Sequence, residues 1–489
     1  MVDKIQGFKK SCGECLDVFS LGKLRAYGRS IGVDRPTKKT KGQLIADILA
    51  IHTGELAPIE RSKLGAPVKD DYVDPTIEEA VAKQRYVWFA SVEPKVRLTY
   101  IESAFNGKTP LVVKASDNSM TFEEYHAQEI FKGQLEVIDG VPCLVDKSGR
   151  LDKERLCVSV DLIRQHGLRA GDVVNCHTYE KLGVRAARNV LSVNSISVGT
   201  ETRFEFDSEE VAYSNTRIQF QAEKLEDFTS KFFNYLLPIG FGQRCLVTGA
   251  PKTGKSTFLR DTAKLLCASN VKAEILVLLV EQTPELISSY RQFMKDGNLV
   301  ATSYEDDPEM HVFAAEFLLK RAKRFAEMGK DVILIVDSLT QIAKAYNETD
   351  FCLGGKTLPC GLENRTLHYA KKYFGSSRNF VKNGSLSIIA TAAMETGDAA
   401  DDFLRSELSS VANAKIALSD KLARQRIFPA IDFAGCVNEG ESLMTKEASE
   451  AEKRFYAKVL PKLGDAEAHS FLDSCANFDE FYQKIKNAD

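Results

Sequence analysis

Gly249-Ala250-Pro251-Lys252-Thr253-Gly254-Lys255-Ser256 is the stretch from which the rest of this chain is read. It has the form G-x-x-x-x-G-K-[ST]. It follows the apolar run Cys245-Leu246-Val247 and opens a helical pattern over residues 257–266. A strand, a glycine-bearing turn and a helix in that order form the context in which this motif holds phosphates. Gly249 and Gly254 let backbone N–H groups curl around phosphate oxygens. The helix start adds its positive end. Lys255 brings a point charge to β- and γ-phosphates, and Ser256 offers a hydroxyl to Mg²⁺. Thr253 and Thr257, in and just after the motif, are further candidates for the phosphate-holding set. The expected cofactors are therefore ATP and Mg²⁺.

Outward from this motif, the rhythm from about Lys231 onward is one of short apolar strands alternating with helical stretches. The strands fall near residues 245–247, 276–280, 332–336 and 386–390. That alternation predicts an α/β domain with a largely parallel sheet. The run Val332-Ile333-Leu334-Ile335-Val336 ends in Asp337, an acid placed to hold Mg²⁺ through water. Between the two motifs, another strand runs into Glu281-Gln282-Thr283-Pro284-Glu285. A carboxylate at that tip would orient an attacking water.

Upstream the signals change. From Gly133 to about Val198 strand patterns dominate: Leu135–Ile138 with a turn at Asp139-Gly140, Cys157–Val160, and Asp172–Val174 after a tight turn. Short strands separated by turns suggest a small barrel. Residues 58–127 are mixed and charged, hold the single tryptophan Trp88, and read as linker followed by undetermined sequence. Between Ser20 and Leu56 two helices are expected. Leu21, Leu24, Tyr27 and Ile31 give helical spacing, Gly32 and Pro36 stop it, and Thr40 with Gln43 forms a capping box for a second helix burying Leu44, Ile45, Ile48 and Leu49. Lys38, Lys39 and Lys41 cluster at its start, either as a solvated face or as a nucleic-acid contact. Residues 1–19 carry no clear pattern.

The bulk properties narrow the class. The 489 residues suggest about three domains. With 65 Lys+Arg against 68 Asp+Glu the net charge is −3, so any nucleic-acid surface must be local. No apolar run reaches the ~20 residues a membrane helix needs, and the polar start suggests no secretory signal; a cytoplasmic protein is expected. Eleven cysteines are scattered, with one CxxC at Cys12 and Cys15, and reduced thiols are the expectation over a zinc or redox site.

Seven blocks together resemble the transcription termination factor Rho family. They are Leu237-Pro238-Ile239-Gly240-Phe241-Gly242-Gln243-Arg244, the phosphate motif with Pro251-Lys252, residues 337–347, Phe374-Gly375-Ser376-Ser377-Arg378-Asn379, residues 384–392, Thr396-Gly397, and Arg426-Ile427-Phe428-Pro429-Ala430-Ile431-Asp432. Order and spacing agree across about 231–489. More faintly, 133–180 resembles the family's RNA-binding barrel and 20–56 its N-terminal helical module. The resemblance implies an α/β fold class: a RecA-like P-loop NTPase domain over 220–489, preceded by an OB- or cold-shock-like barrel over 128–200, a linker or insertion over 57–127 and a helical module over 20–56. It further implies a homohexameric ring with ATP at the interfaces and single-stranded RNA through the centre, with RNA polymerase as a candidate further partner. By this resemblance Phe428 stacks on adenine, Lys252 joins Lys255 and Ser256 in holding the phosphates, Asp337 holds the magnesium, Lys356 faces RNA from the Gly354-Gly355-Lys356 loop, and Arg426 lies near a neighbour's phosphates.

The sequence departs from the family at four places. Gln282 and Thr283 stand where the family has a catalytic glutamate followed by arginine; Gln282 can orient water but is a poor base, and the adjacent Glu281 should point to the other face of the strand. Glu439 aligns with the arginine finger. Val141, Cys143 and Cys157 align with base-stacking aromatics of the barrel. Ser409 aligns with a pore-facing lysine. Three readings follow: an ATP-driven RNA translocase, a nucleotide-binding ring with weak hydrolysis acting as a regulator or interaction platform, or a RecA-like ATPase acting on DNA or protein.

Overall fold

The computed structural model describes residues 2–52, 56, 77, 81, 130–138, 140–150, 155–181, 184–197, 203–220, 227–269, 271–349, 356–382, 384–439, 443 and 445–487. The expected linker over 57–127, with Trp88, lies almost wholly outside them, as does the Gly354-Gly355 turn. The chain divides into two compact units, one mostly N-terminal and one carrying nearly everything beyond Gly199.

The N-terminal unit begins with a helix, Val2–Asp17, where the sequence showed no pattern. Cys12 and Leu16 on that helix are fully buried, in one core with Leu24, Leu44 and Ile48. Too few large apolar residues mark this face for periodicity to reveal it. The two expected helices follow, Leu21–Ser30 and Lys41–His52. The capping box forms: the Thr40 N–H donates to Gln43 Oε1 at 3.1 Å. The lysine cluster is partly spent within the module. Lys39 pairs with Asp47, and Lys41 pairs with Asp17.

The same unit holds a barrel sheet. Its strands are β1 (Ile130–Ile138), β2 (Val141–Asp146), β3 (Arg155–Cys157), β4 (Val173–Lys181), β5 (Val184–Val193) and β6 (Ile196–Ser197). They run in the order β3-β2-β1-β4-β5-β6, and β3 also pairs with β5, which closes the ring. The closing pair is parallel, with Cys157 opposite Ala186. Closure removes the exposed edges that an open sheet would present. The expected strand over Cys157–Val160 ends early. Ser159 accepts from the Leu162 N–H at 3.3 Å, caps a helix over Val160–Gln165, and so takes Val160 out of the sheet.

The second unit is built on a nine-stranded sheet. Its strands are β7 (Val211–Ala212), β8 (Arg244–Gly249), β9 (Ala273–Gln282), β10 (Leu299–Ser303), β11 (Asp331–Asp337), β12 (Arg378–Phe380), β13 (Ser385–Ala393), β14 (Ala414–Leu418) and β15 (Ile431–Asn438). The main order is β10-β9-β11-β13-β8-β14-β15. Neighbours from β10 through β14 are parallel, and β15 is antiparallel to β14. Residues 332–336 of β11 are completely buried. A parallel strand covered by helices on both faces reads as an unbroken apolar run, which is why the sequence marked it. Because these strands are parallel, the ends of β8, β9, β11 and β13 lie along one edge of the sheet. That edge collects the candidate residues.

Candidate nucleotide site

β8 ends at Gly249, and the turn after it enters the helix Lys255–Ala268. Two residues in the turn adopt left-handed backbone, Lys252 at φ 67° and Gly254 at φ 90°. Gly249 is required by space: a Cβ there would lie 2.5 Å from Thr253 Oγ1 and 3.0 Å from the Leu418 Cβ. Thr253 is buried and donates to the Ala250 carbonyl at 2.8 Å, pinning the turn from inside. The helix is anchored from below by Phe258, Leu259, Ala263 and Leu266. Lys255 Nζ donates to the carbonyls of Gly249 and Ala250 at 2.7 and 2.9 Å. Burial lowers the pKa of this ammonium, and the Asp337 carboxylate opposes that shift.

Asp337 ends β11 two strands from the phosphate turn, with β13 between. Its Oδ1 accepts from Thr391 Oγ1 of β13 at 2.6 Å. Burial raises its pKa; the hydroxyls of Thr391 and Ser256 and the Lys255 charge pull the other way. The other oxygen, Oδ2, is buried without a hydrogen-bond partner. A buried carboxylate oxygen left bare costs free energy unless a cation or water completes it. Beside it, Ser256 provides a second hard oxygen, so the donor set suits Mg²⁺. The residues present thus fit the group that the sequence implies.

The tip of β9 divides its two acids-and-amides between two partners. Gln282 Nε2 donates to the Val280 carbonyl at 3.2 Å and reaches the Asp337 carbonyl at 3.5 Å. Glu281 stands at φ 54°, outside extended geometry, so simple alternation does not apply to it. Its carboxylate accepts from Gln341 Nε2, on the helix Leu339–Glu348. Thr283 then caps the helix Pro284–Arg291, accepting from the Leu286 N–H at 3.3 Å, with Pro284 at the first helical position.

Phe428 is brought to the phosphate turn from far along the chain. A Cβ on Gly254 would lie 3.5 Å from the edge of the Phe428 ring, which is 48% exposed. Lys255, Ser256, Asp337, Gln282 and Phe428 therefore share one edge of one domain. Arg426, on the turn before Phe428, is exposed at φ 62°. Lys356 is exposed beyond the phosphate turn's elements, its carbonyl accepting from the Asn364 N–H at 3.0 Å. Thr391 lies within the block 384–392, and the sequence alone assigns it no role. Its signal is positional, a threonine on the strand between the two motifs, and only the sheet order makes it legible.

The other departures have local explanations. Glu439 is exposed past β15, and its charge acts on the Arg244 guanidinium, whose pKa burial lowers. Ser409 closes the helix Ala399–Ser409, where neighbouring Glu407 pairs with Lys371. In the barrel, Cys143 and Cys157 are buried, and burial pushes the Cys157 thiol up to about 11. Side chains held inside a barrel offer no stacking face to a base.

A P-loop nucleotide-binding domain on a parallel sheet is the class this geometry defines, and residues 230–437 match the model of the ATP synthase alpha/beta family, nucleotide-binding domain. The chain as a whole belongs to the transcription termination factor Rho family. It is 30% identical to transcription termination factor Rho of Escherichia coli (strain K12) over 375 residues, covering 74% of this chain and 89% of that one. It is 31% identical to the Buchnera aphidicola subsp. Baizongia pistaciae protein of the same name over 355 residues, covering 71% and 84%. Among solved structures, the assembled ATPase EscN of the enteropathogenic E. coli type III secretion system aligns at 16% identity with a TM-score of 0.48, covering 74% of this chain and 98% of that one.

Proposed function

We propose that this chain is an ATP-driven, RNA-binding translocase of the termination-factor type, working in the cytoplasm as a ring of six copies. The observation that carries the reading is the convergence of Lys255, Ser256 and the bare Asp337 Oδ2 at one sheet edge, with Phe428 against the same turn. In this reading the backbone of 249–256 and Lys255 hold the triphosphate, Ser256 and Asp337 hold Mg²⁺, and Phe428 stacks on the base. Bound Mg²⁺ would neutralise charge developing on the phosphates. Arg426 faces a neighbour's phosphates, and Lys356 meets RNA in the pore. The name shared by the relatives supports RNA as the polymer and RNA polymerase as the machinery acted upon.

A second reading is favoured by one specific observation. The amide of Gln282 donates toward two backbone carbonyls, at 3.2 and 3.5 Å. A carboxylate cannot donate those bonds, so the β9 tip suits an amide. With no base at this position, and Glu281 turned to Gln341, hydrolysis is slow and the ring serves as a nucleotide-binding platform. The deciding experiment is the ATPase rate of the purified chain with and without cytosine-rich RNA and with DNA, alongside its mass in solution. Turnover that rises with RNA supports the translocase. ATP binding with negligible turnover selects the platform, while stimulation by DNA alone overturns both.

A further inference from the structure

The tip of β9 is reached through a break in the sheet. Ala301 of β10 lies opposite Leu279 of β9, and Ser303 lies opposite Gln282, so Val280 and Glu281 together face the single residue Thr302. That is a β-bulge, a device rare between parallel strands and one that re-aims side chains beside active sites. It falls where β9 has lost its other neighbour, because the pairing with β11 stops at Asp337 opposite Leu279. The second bulge residue, Glu281, sits at φ 54°. A residue with a Cβ is disfavoured in left-handed backbone and stays there only when its surroundings hold it.

The hold comes from a side chain. The Glu281 N–H donates to Thr302 Oγ1 at 3.2 Å, where a regular ladder would offer a backbone carbonyl. His311 Nδ1, on the helix Pro308–Glu327, lies 2.8 Å from the same oxygen. Thr302 and His311 are both buried. If the imidazole carries its proton on Nε2, the Thr302 hydroxyl donates to Nδ1; if on Nδ1, the oxygen accepts a second bond. In both tautomers the hydroxyl is fixed with a lone pair toward Glu281. Beside this clasp the Gln282 amide points at the Val280 and Asp337 carbonyls, and the Glu281 carboxylate at Gln341.

We propose that Thr302 and His311 are positioning residues for the nucleotide site: their hydrogen bond clasps the β9 bulge, and the bulge sets which way Gln282 and Glu281 face. The inference rests on the reading of the β9 tip as the place where water is oriented for attack on the nucleotide.

The experiment joins amide hydrogen exchange over residues 276–290 to single-turnover ATP cleavage by the full chain, at a series of Mg²⁺-ATP concentrations, in the wild-type and Gln282→Glu backgrounds. Thr302→Val keeps the shape and removes the hydroxyl; Thr302→Ser keeps the hydroxyl; His311→Phe removes only the outer partner. Thr302→Val should exchange faster over 276–290, with residues 249–256 unchanged. A misplacement of about 1 Å costs up to ~10²-fold, so the cleavage rate should fall roughly 10–100-fold, with half-saturating ATP within about twofold. His311→Phe should show smaller changes of the same sign, and Thr302→Ser should recover both exchange and rate. Thermal melting shows which variants fold; if Thr302→Val does not, His311→Phe carries the comparison. Unchanged exchange in a folded clasp variant, a loss that falls on ATP affinity rather than on rate, or no recovery by Thr302→Ser overturns the proposal. ATP that binds but is cleaved in neither background overturns the role of the β9 tip, and the proposal with it. No ATP binding by the wild type overturns the nucleotide reading itself.

Discussion

At the end of β8 and the end of β11, charge meets charge: an ammonium, a hydroxyl and a carboxylate face one another across β13. One strand further, at the end of β9, an amide faces two carbonyls, and the carboxylate of the adjacent Glu281 is turned to a glutamine. The first region is arranged to hold a phosphate and its cation. The second, in the same sheet and a few ångströms of strand spacing away, presents the Gln282 amide rather than a carboxylate. Holding a nucleotide and cleaving it are thus separable properties of a single edge, and each can be altered alone.

The largest expected effect breaks that separation. Gln282→Glu supplies a carboxylate at the β9 tip, and a positioned general base contributes ~10²–10⁴-fold. If the platform reading holds, steady-state ATP turnover of the variant rises by at least ~10²-fold over the wild type, with ATP affinity little changed. Unchanged turnover would mean that the β9 tip does not limit hydrolysis. Next comes the phosphate side. Lys255→Ala removes charge-assisted bonds of ~1.5–3 kcal/mol each, so ATP affinity measured by titration should fall by about 10²-fold or more. Retained affinity would refute the phosphate turn.

Phe428→Ala probes the far end of the same site. Base stacking on an aromatic contributes ~1–3 kcal/mol, and ATP binding should weaken about tenfold while tripolyphosphate binding holds. The smallest effect sharpens the contrast from within the intact region. Thr391→Val deletes the donor to Asp337 Oδ1, a loss of about 1 kcal/mol or somewhat more. The Mg²⁺ concentration needed for half-maximal ATP binding should rise about fivefold, with the melting temperature only slightly lower. A large fall in melting temperature with no change in Mg²⁺ dependence would make Thr391 a packing residue and nothing more.

Local order carried much of this molecule. The phosphate turn, the buried β11 run with its terminal acid, and the Thr40–Gln43 capping box were all legible because each is a short-range pattern whose physics acts between near neighbours in the chain. The helix Val2–Asp17 and the helix starting at Val160 were not, since the first is marked by few apolar residues and the second by a single serine cap. What tertiary structure alone decided is adjacency across the sheet. Thr391 on Asp337, Gln282 on the Asp337 carbonyl and Phe428 beside Gly254 join positions that are 54 to 174 residues apart. Strand order is set by how apolar faces and crossover helices pack together, a sum over the whole domain that no window of sequence contains.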